Sequence, residues 1–317
     1  MRSMRNRQDT TRTSWKSISR LLLYFSFPII ILSACTGEKL PVANNDSTTT
    51  PAIEAQITYT ATYPNTPGLS NTDTPIQPTS APEYTCPEKR GSVARSYITT
   101  KELPGRLYFT TYLPPCYSDS SQYPVLFLLH GKSYQDDQWI RLGLPDIMNK
   151  QISNGDLPPF IVVMPYDPGW EDPGTGRYDR AISESLVRWI DSQYSVKEGR
   201  EFRAIGGISR GSGWAFHIAF RYPELFSIVG IHSPAIFRAD KRNMETILPT
   251  LSDSSLPVRV LLDVGTRDPE FNYAGLFEEL LTKNSIEHTW QMLDGNHSEA
   301  YWRENLAMYL EEYSRDW

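Results

Sequence analysis

Apolar residues from about position 86 onward fall into two patterns. The first is short and nearly continuous: YPVLFLLHG (123–131), PFIVVMPY (159–166), FRAIGGIS (202–209), FSIVGIHS (226–233) and VRVLLDVG (258–265), each bounded by turn residues. Runs of this kind are expected of strands covered on both faces. The second pattern is amphipathic with helical spacing, over about 136–154, 176–194, 210–222, 273–285 and 298–314. RSYITT (95–100) and RLYFTTYLP (106–114) lie close enough to form an antiparallel pair, and EHTWQMLDG (287–295) supplies a final strand. Strand and helix in alternation predict an α/β domain over 86–317, a mostly parallel central sheet with helices on both faces. Ligands of such sheets bind beyond the carboxyl ends of the strands. Chemistry is therefore sought in the residues that follow each strand.

The chain before residue 86 is different. Arg2, Arg5, Arg7, Arg12, Lys16 and Arg20 against Asp9 give the first 34 residues a net charge of +5, which leaves −11 for the rest of a chain whose total is −6. An acidic remainder argues against a nucleic-acid surface. The apolar stretch LLLYFSFPIIILSA (21–34) is short for a membrane span, which needs about 20 residues. A basic segment, a short apolar core and small residues at the end describe a secretory signal peptide, 1–34. Its end, Leu32-Ser33-Ala34-Cys35, resembles the lipobox of bacterial lipoproteins. That resemblance implies cleavage before Cys35, a lipid on its sulfur and a domain outside the cytoplasm, tethered to a bacterial membrane. An uncleaved anchor that ends in a cysteine is the alternative. From the lipidated Cys35 to residue 85 the chain is rich in Thr, Pro, Ser and Asn, with Lys39 its only basic residue. Too little apolar surface is available there to offset ordering entropy, so it reads as a disordered tether. Extended as polyproline II its 50 residues after Cys35 would reach roughly 150 Å. Of three cysteines, Cys86 and Cys116 remain, and an exported domain favours a disulfide between them over two unpaired thiols. No pattern indicates a metal site, and no cofactor is expected.

The stretch RAIGGISRGSGW (203–214) contains Gly207-Ile208-Ser209-Arg210-Gly211, a G-x-S-x-G between a predicted strand and a predicted helix. In that motif the serine occupies a sharp turn, and glycines keep neighbouring backbone clear of it. A phosphate loop would need a lysine after its last glycine, and none follows here. A serine hydroxyl needs a base to take its proton and an acid to orient that base, in the chain order Ser, Asp/Glu, His. His130 comes too early, and His217 lies within the predicted helix after Ser209. His232 ends a strand, either bordering a site or structural; His288 begins one. His297 follows a strand's carboxyl end and is the candidate base. Asp268, just beyond the strand VRVLLDVG, is the candidate acid; Asp263 inside that strand and Glu270 nearby are the alternatives. Donors for a developing oxyanion are expected from the backbone N–H groups of Arg210, directly after the serine, and of Lys132 in LLHGKS. Tyr134, Trp139, Tyr166, Trp170 and Trp214 near strand ends either line a substrate cleft or pack in the core.

YPVLFLLHGKSYQDDQW, FRAIGGISRGSGWAFHIAFRYPELFSIVGIHSPA, VGTRDP and DGNHSEAYWRENL together resemble the esterase family of α/β-hydrolases. That family includes S-formylglutathione hydrolases, feruloyl and acetylxylan esterases, siderophore esterases and mycolyltransferases. The resemblance spans nearly all of 90–317 and implies Ser209 as nucleophile, His297 as base, Asp268 as acid, and backbone donors at Lys132 and Arg210. Many members carry a second glycine where this chain has Ser212, and several carry an apolar residue where it has Lys132. The expected activity is hydrolysis of a small-molecule or carbohydrate ester outside the cytoplasm. Transfer of an acyl group to a sugar hydroxyl, or a non-catalytic surface binding role, are the alternatives.

Overall fold

The computed structural model describes residues 87–168, 172–173, 177–252 and 255–317. The basic segment, Cys35, the Thr/Pro-rich stretch, Cys86 and Trp170 lie outside the described residues. Eight strands form one sheet: β1 Ser92–Thr99, β2 Arg106–Leu113, β3 Val125–Leu129, β4 Ile161–Pro165, β5 Arg203–Ile208, β6 Ile228–His232, β7 Arg259–Gly265 and β8 His288–Leu293, in the order β1-β2-β4-β3-β5-β6-β7-β8. β2 runs antiparallel to β1 and to β4. Every other pairing is parallel, so β3 to β8 share one carboxyl end. The helices are α1 Gln138–Arg141, α2 Leu144–Asn154, α3 Tyr178–Arg180, α4 Val187–Gln193, α5 Arg210–Arg221, α6 Arg238–Ser252, α7 Phe271–Lys283 and α8 Glu299–Ser314.

Alternation along β3 shows how the two faces are built. Val125, Phe127 and Leu129 join one apolar cluster with residues of α4 to α7, while Leu126 and Leu128 join a second with α2 and α8. Period-two side chains of a strand point to opposite faces, so a continuous apolar run is what a sheet sandwiched between helices requires. β3 to β7 are buried at every position, whereas edge β1 is mostly exposed and edge β8 half-buried. α5 buries Trp214, Phe216 and Ile218 against the sheet. Each such side chain contributes about 1.5–3 kcal/mol, which anchors the turn at its N-terminus.

Three local features differ from expectation. The helix expected over 136–154 is broken at Gly143, whose φ of 98° is left-handed, giving α1 and α2. That expected over 176–194 contains a π-helical turn, Ala181–Leu186, between α3 and α4. α6 has no counterpart in the sequence reading. Pro249 lies inside it and removes a helical hydrogen bond, so the segment reads as broken. Packing of Met244 and Leu248 into the first cluster holds it helical nonetheless.

Candidate active site

Ser209 stands between the end of β5 and the start of α5 with φ 53° and ψ −118°, a backbone conformation costly for any residue with a Cβ. Its neighbours explain the turn. A Cβ on Gly207 would come 2.4 Å from the Gly211 carbonyl carbon, and one on Gly211 would come 2.4 Å from the Leu129 carbonyl oxygen. Neither position admits a side chain. Ser209 N–H donates to the His232 carbonyl at 2.9 Å, continuing the ladder with β6. Ser212, fully buried, donates its hydroxyl to the Ser209 carbonyl (2.5 Å) and accepts the Ala235 N–H (3.1 Å). The departure from a glycine at 212 thus adds a brace between the turn and the segment after β6.

Two loops bring the other residues to Ser209. Thr266 N–H donates to the Leu293 carbonyl and Arg267 N–H to the Gly295 carbonyl, both at 2.8 Å, so the segments after β7 and β8 are tied together. Arg267 and Asp294 form an exposed ion pair across the same tie. Asp268 leaves the first segment and His297 the second, immediately before the α8 N-cap, Ser298. Ser209 Oγ lies 2.9 Å from His297 Nε2, and His297 Nδ1 lies 2.8 Å from Asp268 Oδ2. The second carboxylate oxygen, Asp268 Oδ1, accepts the Glu270 N–H at 2.8 Å. Asp268 is buried while the His297 side chain is 28% exposed, so the line runs from the interior to an open serine. Burial alone would raise the Asp268 carboxyl, but hydrogen bonds from His297 and from Glu270 N–H outweigh it and hold it below the usual carboxylate range. Trp302 presents an edge-on contact to the His297 ring, centroids 5.1 Å apart.

Lys132 and Arg210 line one small cleft with His130, Tyr134, Tyr166 and Asp167. Arg210 opens α5, and the backbone N–H groups of a helix's first turn point out of its end. Gln138 Oε1, on α1, accepts the Gly131 N–H at 2.8 Å beside Lys132. Of the aromatic candidates, Tyr134 and Tyr166 line the cleft, but Trp139 and Trp214 are 1% exposed and belong to the two cores. The chemistry-bearing residue that sequence reasoning passed over is Asp167. It stands two residues beyond β4, at the carboxyl end of the sheet, and its carboxylate accepts from Arg210 Nε (2.9 Å) and Trp214 Nε1 (3.0 Å).

The remaining histidines are accounted for by packing. His232 is 1% exposed and held between Asp263 on β7 and Tyr313 on α8. His217 sits between Asp240 (3.0 Å) and Asp179 (3.6 Å). His288 faces Glu278 and the Ile286 carbonyl. Glu270, an alternative acid, contributes a backbone N–H to Asp268. No cluster of His, Cys, Asp or Glu suited to a metal ion occurs among the described residues.

The family model described as "Putative esterase" matches residues 100–313. Among curated proteins, the chain is 24% identical over 234 residues to the "Uncharacterized protein YjcH" of Bacillus subtilis, covering 68% of this chain and 94% of that one. It is 29% identical over 128 residues to an "Endo-1,4-beta-xylanase/feruloyl esterase" of Xylanibacter ruminicola, 38% of this chain and 18% of that protein. In fold it is similar to a ferulic acid esterase (TM-score 0.64, 23% identity, 71% of this chain and 99% of that one). An S-formylglutathione hydrolase of Staphylococcus aureus is similar as well (TM-score 0.57, 16% identity, 71% and 99% covered).

Proposed function

The chain belongs to the esterase family and is a carboxylic ester hydrolase of the serine type, and from that premise we propose that Ser209, His297 and Asp268 carry the reaction through an acyl-enzyme. The hydrogen-bonded line from Ser209 Oγ through His297 to Asp268 is the observation that carries this reading. Ser209 Oγ attacks the ester carbonyl while its proton passes to His297 Nε2. Asp268 holds the imidazole by its Nδ1–H and stabilises the imidazolium. The backbone N–H groups of Lys132 and Arg210 take the charge that develops on the carbonyl oxygen. Collapse breaks the bond to the leaving alkoxide, which receives the proton from His297. Water then attacks the acyl-enzyme with His297 again as base, returning the acid and free Ser209.

The substrate we propose is an ester borne on a carbohydrate, a reading supported by the likeness to the endo-1,4-beta-xylanase/feruloyl esterase of Xylanibacter ruminicola. Export and lipidation at Cys35, a tether over 36–85 and a Cys86–Cys116 disulfide complete the proposal. Cys116 lies just past β2 with its N–H on the Glu88 carboxylate (3.2 Å), a contact that supports the pairing. Hydrolysis of short-chain and feruloyl chromogenic esters by residues 86–317, beside Ser209→Ala, tests the reading. Turnover abolished in the variant supports it; turnover that survives in the variant removes Ser209 from the mechanism.

A further inference from the structure

Asp167 touches both walls of the cleft through different atoms. Its backbone N–H donates to His130 Nε2 at 2.9 Å. A nitrogen that accepts carries no proton, so the His130 proton sits on Nδ1, where it is donated to the Gly131 carbonyl at 2.8 Å. Burial, the largest influence on His130, pushes its pKa down and favours this neutral ring. The Tyr166 ring stacks on the imidazole, centroids 5.6 Å apart and planes within 21°, which fixes the ring's orientation. The Gly131 carbonyl and the Lys132 N–H belong to one planar trans peptide and point in opposite directions. Holding the carbonyl therefore aims the N–H. Tyr134 N–H donates to the same carbonyl at 3.2 Å, so the Gly131 oxygen is fixed from two sides.

The carboxylate of Asp167 works on the other wall. One oxygen accepts from Arg210 Nε and from Trp214 Nε1, two residues one turn apart on the first turns of α5. The pair is largely dry, with side-chain exposures of 13% for Arg210 and 8% for Asp167, and a buried charge-assisted bond holds geometry more firmly than an exposed one. The Trp214 ring is wedged edge-on against Tyr178 and Phe237, so the carboxylate is referred to the core.

We infer that Asp167 is a positioning residue for the oxyanion pocket: through His130 it aims the Lys132 N–H, and through Arg210 and Trp214 it seats the α5 N-terminus that carries the Arg210 N–H. The inference rests on the esterase reading above. Its consequence is that the two donors, which come from separate loops, keep a common spacing through a single residue. A purely structural Asp167 would lower stability and leave the chemistry of the folded molecules alone. A positioning Asp167 lowers kcat and the affinity for a mimic of the tetrahedral intermediate together, and leaves KM nearly unchanged.

The test uses Asp167→Asn, Arg210→Gln and the pair combined, with an aryl ester as substrate and an aryl trifluoromethyl ketone as the tetrahedral mimic. Melting is followed by circular dichroism. Each single variant is expected to lose about 10- to 100-fold in kcat, to lose ketone affinity by a similar factor, and to change KM by less than about threefold. The combined variant is expected to fall short of the product of the two single losses, because the Arg210–Asp167 bond is disrupted in both, while Trp214–Asp167 and Arg210–Asp172 are each touched by one alone. Should Asp167→Asn not fold, Arg210→Gln carries the test alone. Folded variants whose kcat and ketone affinity stay within twofold of wild type overturn the inference, whatever their melting temperature. Turnover that persists in Ser209→Ala removes Ser209 as nucleophile and this inference with it, whereas an unchanged ketone affinity in the Asp167 and Arg210 variants overturns only the inference.

Discussion

Two histidine–aspartate pairs of the same chemical type, one inside the sheet and one on loops beyond it, meet opposite fates. His297 and Asp268 lie on loops beyond β8 and β7, 2.8 Å apart, with the histidine open on one side and its other nitrogen on Ser209. His232 and Asp263 lie inside β6 and β7, 2.6 Å apart, and every remaining polar atom is taken by protein. Tyr301 and Tyr309 donate to Asp263 Oδ2 at 2.6 and 2.8 Å, while His232 Nε2 meets the Tyr313 hydroxyl at 2.9 Å. Burial is the chief cause that pushes all three tyrosine hydroxyls up, keeping them protonated donors. Tyr309 also stacks on the His232 ring, centroids 3.8 Å apart. What separates the pairs is the partner of the outer nitrogen. A strained serine hydroxyl makes the first a candidate for catalysis; a buried phenol makes the second a knot between the sheet and α8.

That contrast breaks most sharply at the first pair. Ser209→Ala and His297→Ala are each expected to lower kcat by about 10⁵- to 10⁶-fold, and Asp268→Asn by about 10⁴-fold, in steady-state ester hydrolysis. Their denaturation midpoints are expected to fall less than that of Asp263→Asn. For the second pair the expectation is reversed. Asp263→Asn leaves buried donors short of an acceptor and should cost about 3–5 kcal/mol in denaturant unfolding, with kcat per folded molecule within about threefold of wild type. An equal loss of activity in both aspartate variants would erase the distinction.

A smaller effect is expected where the two regions meet. Ser212→Ala removes the hydroxyl that joins the Ser209 carbonyl to the Ala235 N–H, at an expected cost of about 1–3 kcal/mol and a several-fold loss of kcat. Unchanged stability would mean that the brace is redundant. An effect on stability alone concerns His217, a third histidine among aspartates. Burial would lower its pKa, but the two carboxylates, Asp240 hydrogen-bonded at 3.0 Å and Asp179 facing the other nitrogen at 3.6 Å, prevail and raise it to about 9. A folded pKa above the unfolded value of about 6.5 stabilises fully below that pH and is lost as pH rises through about 9. The melting difference between wild type and His217→Gln should therefore shrink across that window; a difference that grows with pH would reverse the assignment.

Much of this was legible from residue order, and the reason differs by element. The buried strands announce themselves because a sheet covered on both faces needs apolar side chains at every position, as in Val125–Leu129. The turn at Ser209 is legible because two contacts near 2.4 Å forbid a Cβ at 207 and at 211, leaving glycine at both. His297 emerges by elimination from its place after the last strand. Trp139 and Trp214 were harder, since an aromatic near a strand end serves a cleft or a core equally well, and only packing decides. α6 escaped because tertiary contacts of Met244 and Leu248 override a local breaker, Pro249. The role of Asp167 depends on three partners 37, 43 and 47 residues away in sequence. No local pattern encodes such separations.

The central claim is that the open pair serves Ser209 and the buried pair serves the fold. Acid quench of the protein during turnover of a slow aryl ester, followed by peptide mass spectrometry, tests it most directly. The account predicts one acyl adduct, on the peptide that contains Ser209, formed by wild type and Asp263→Asn and lost in Ser209→Ala and His297→Ala. An adduct elsewhere, or one that survives in Ser209→Ala, would contradict it.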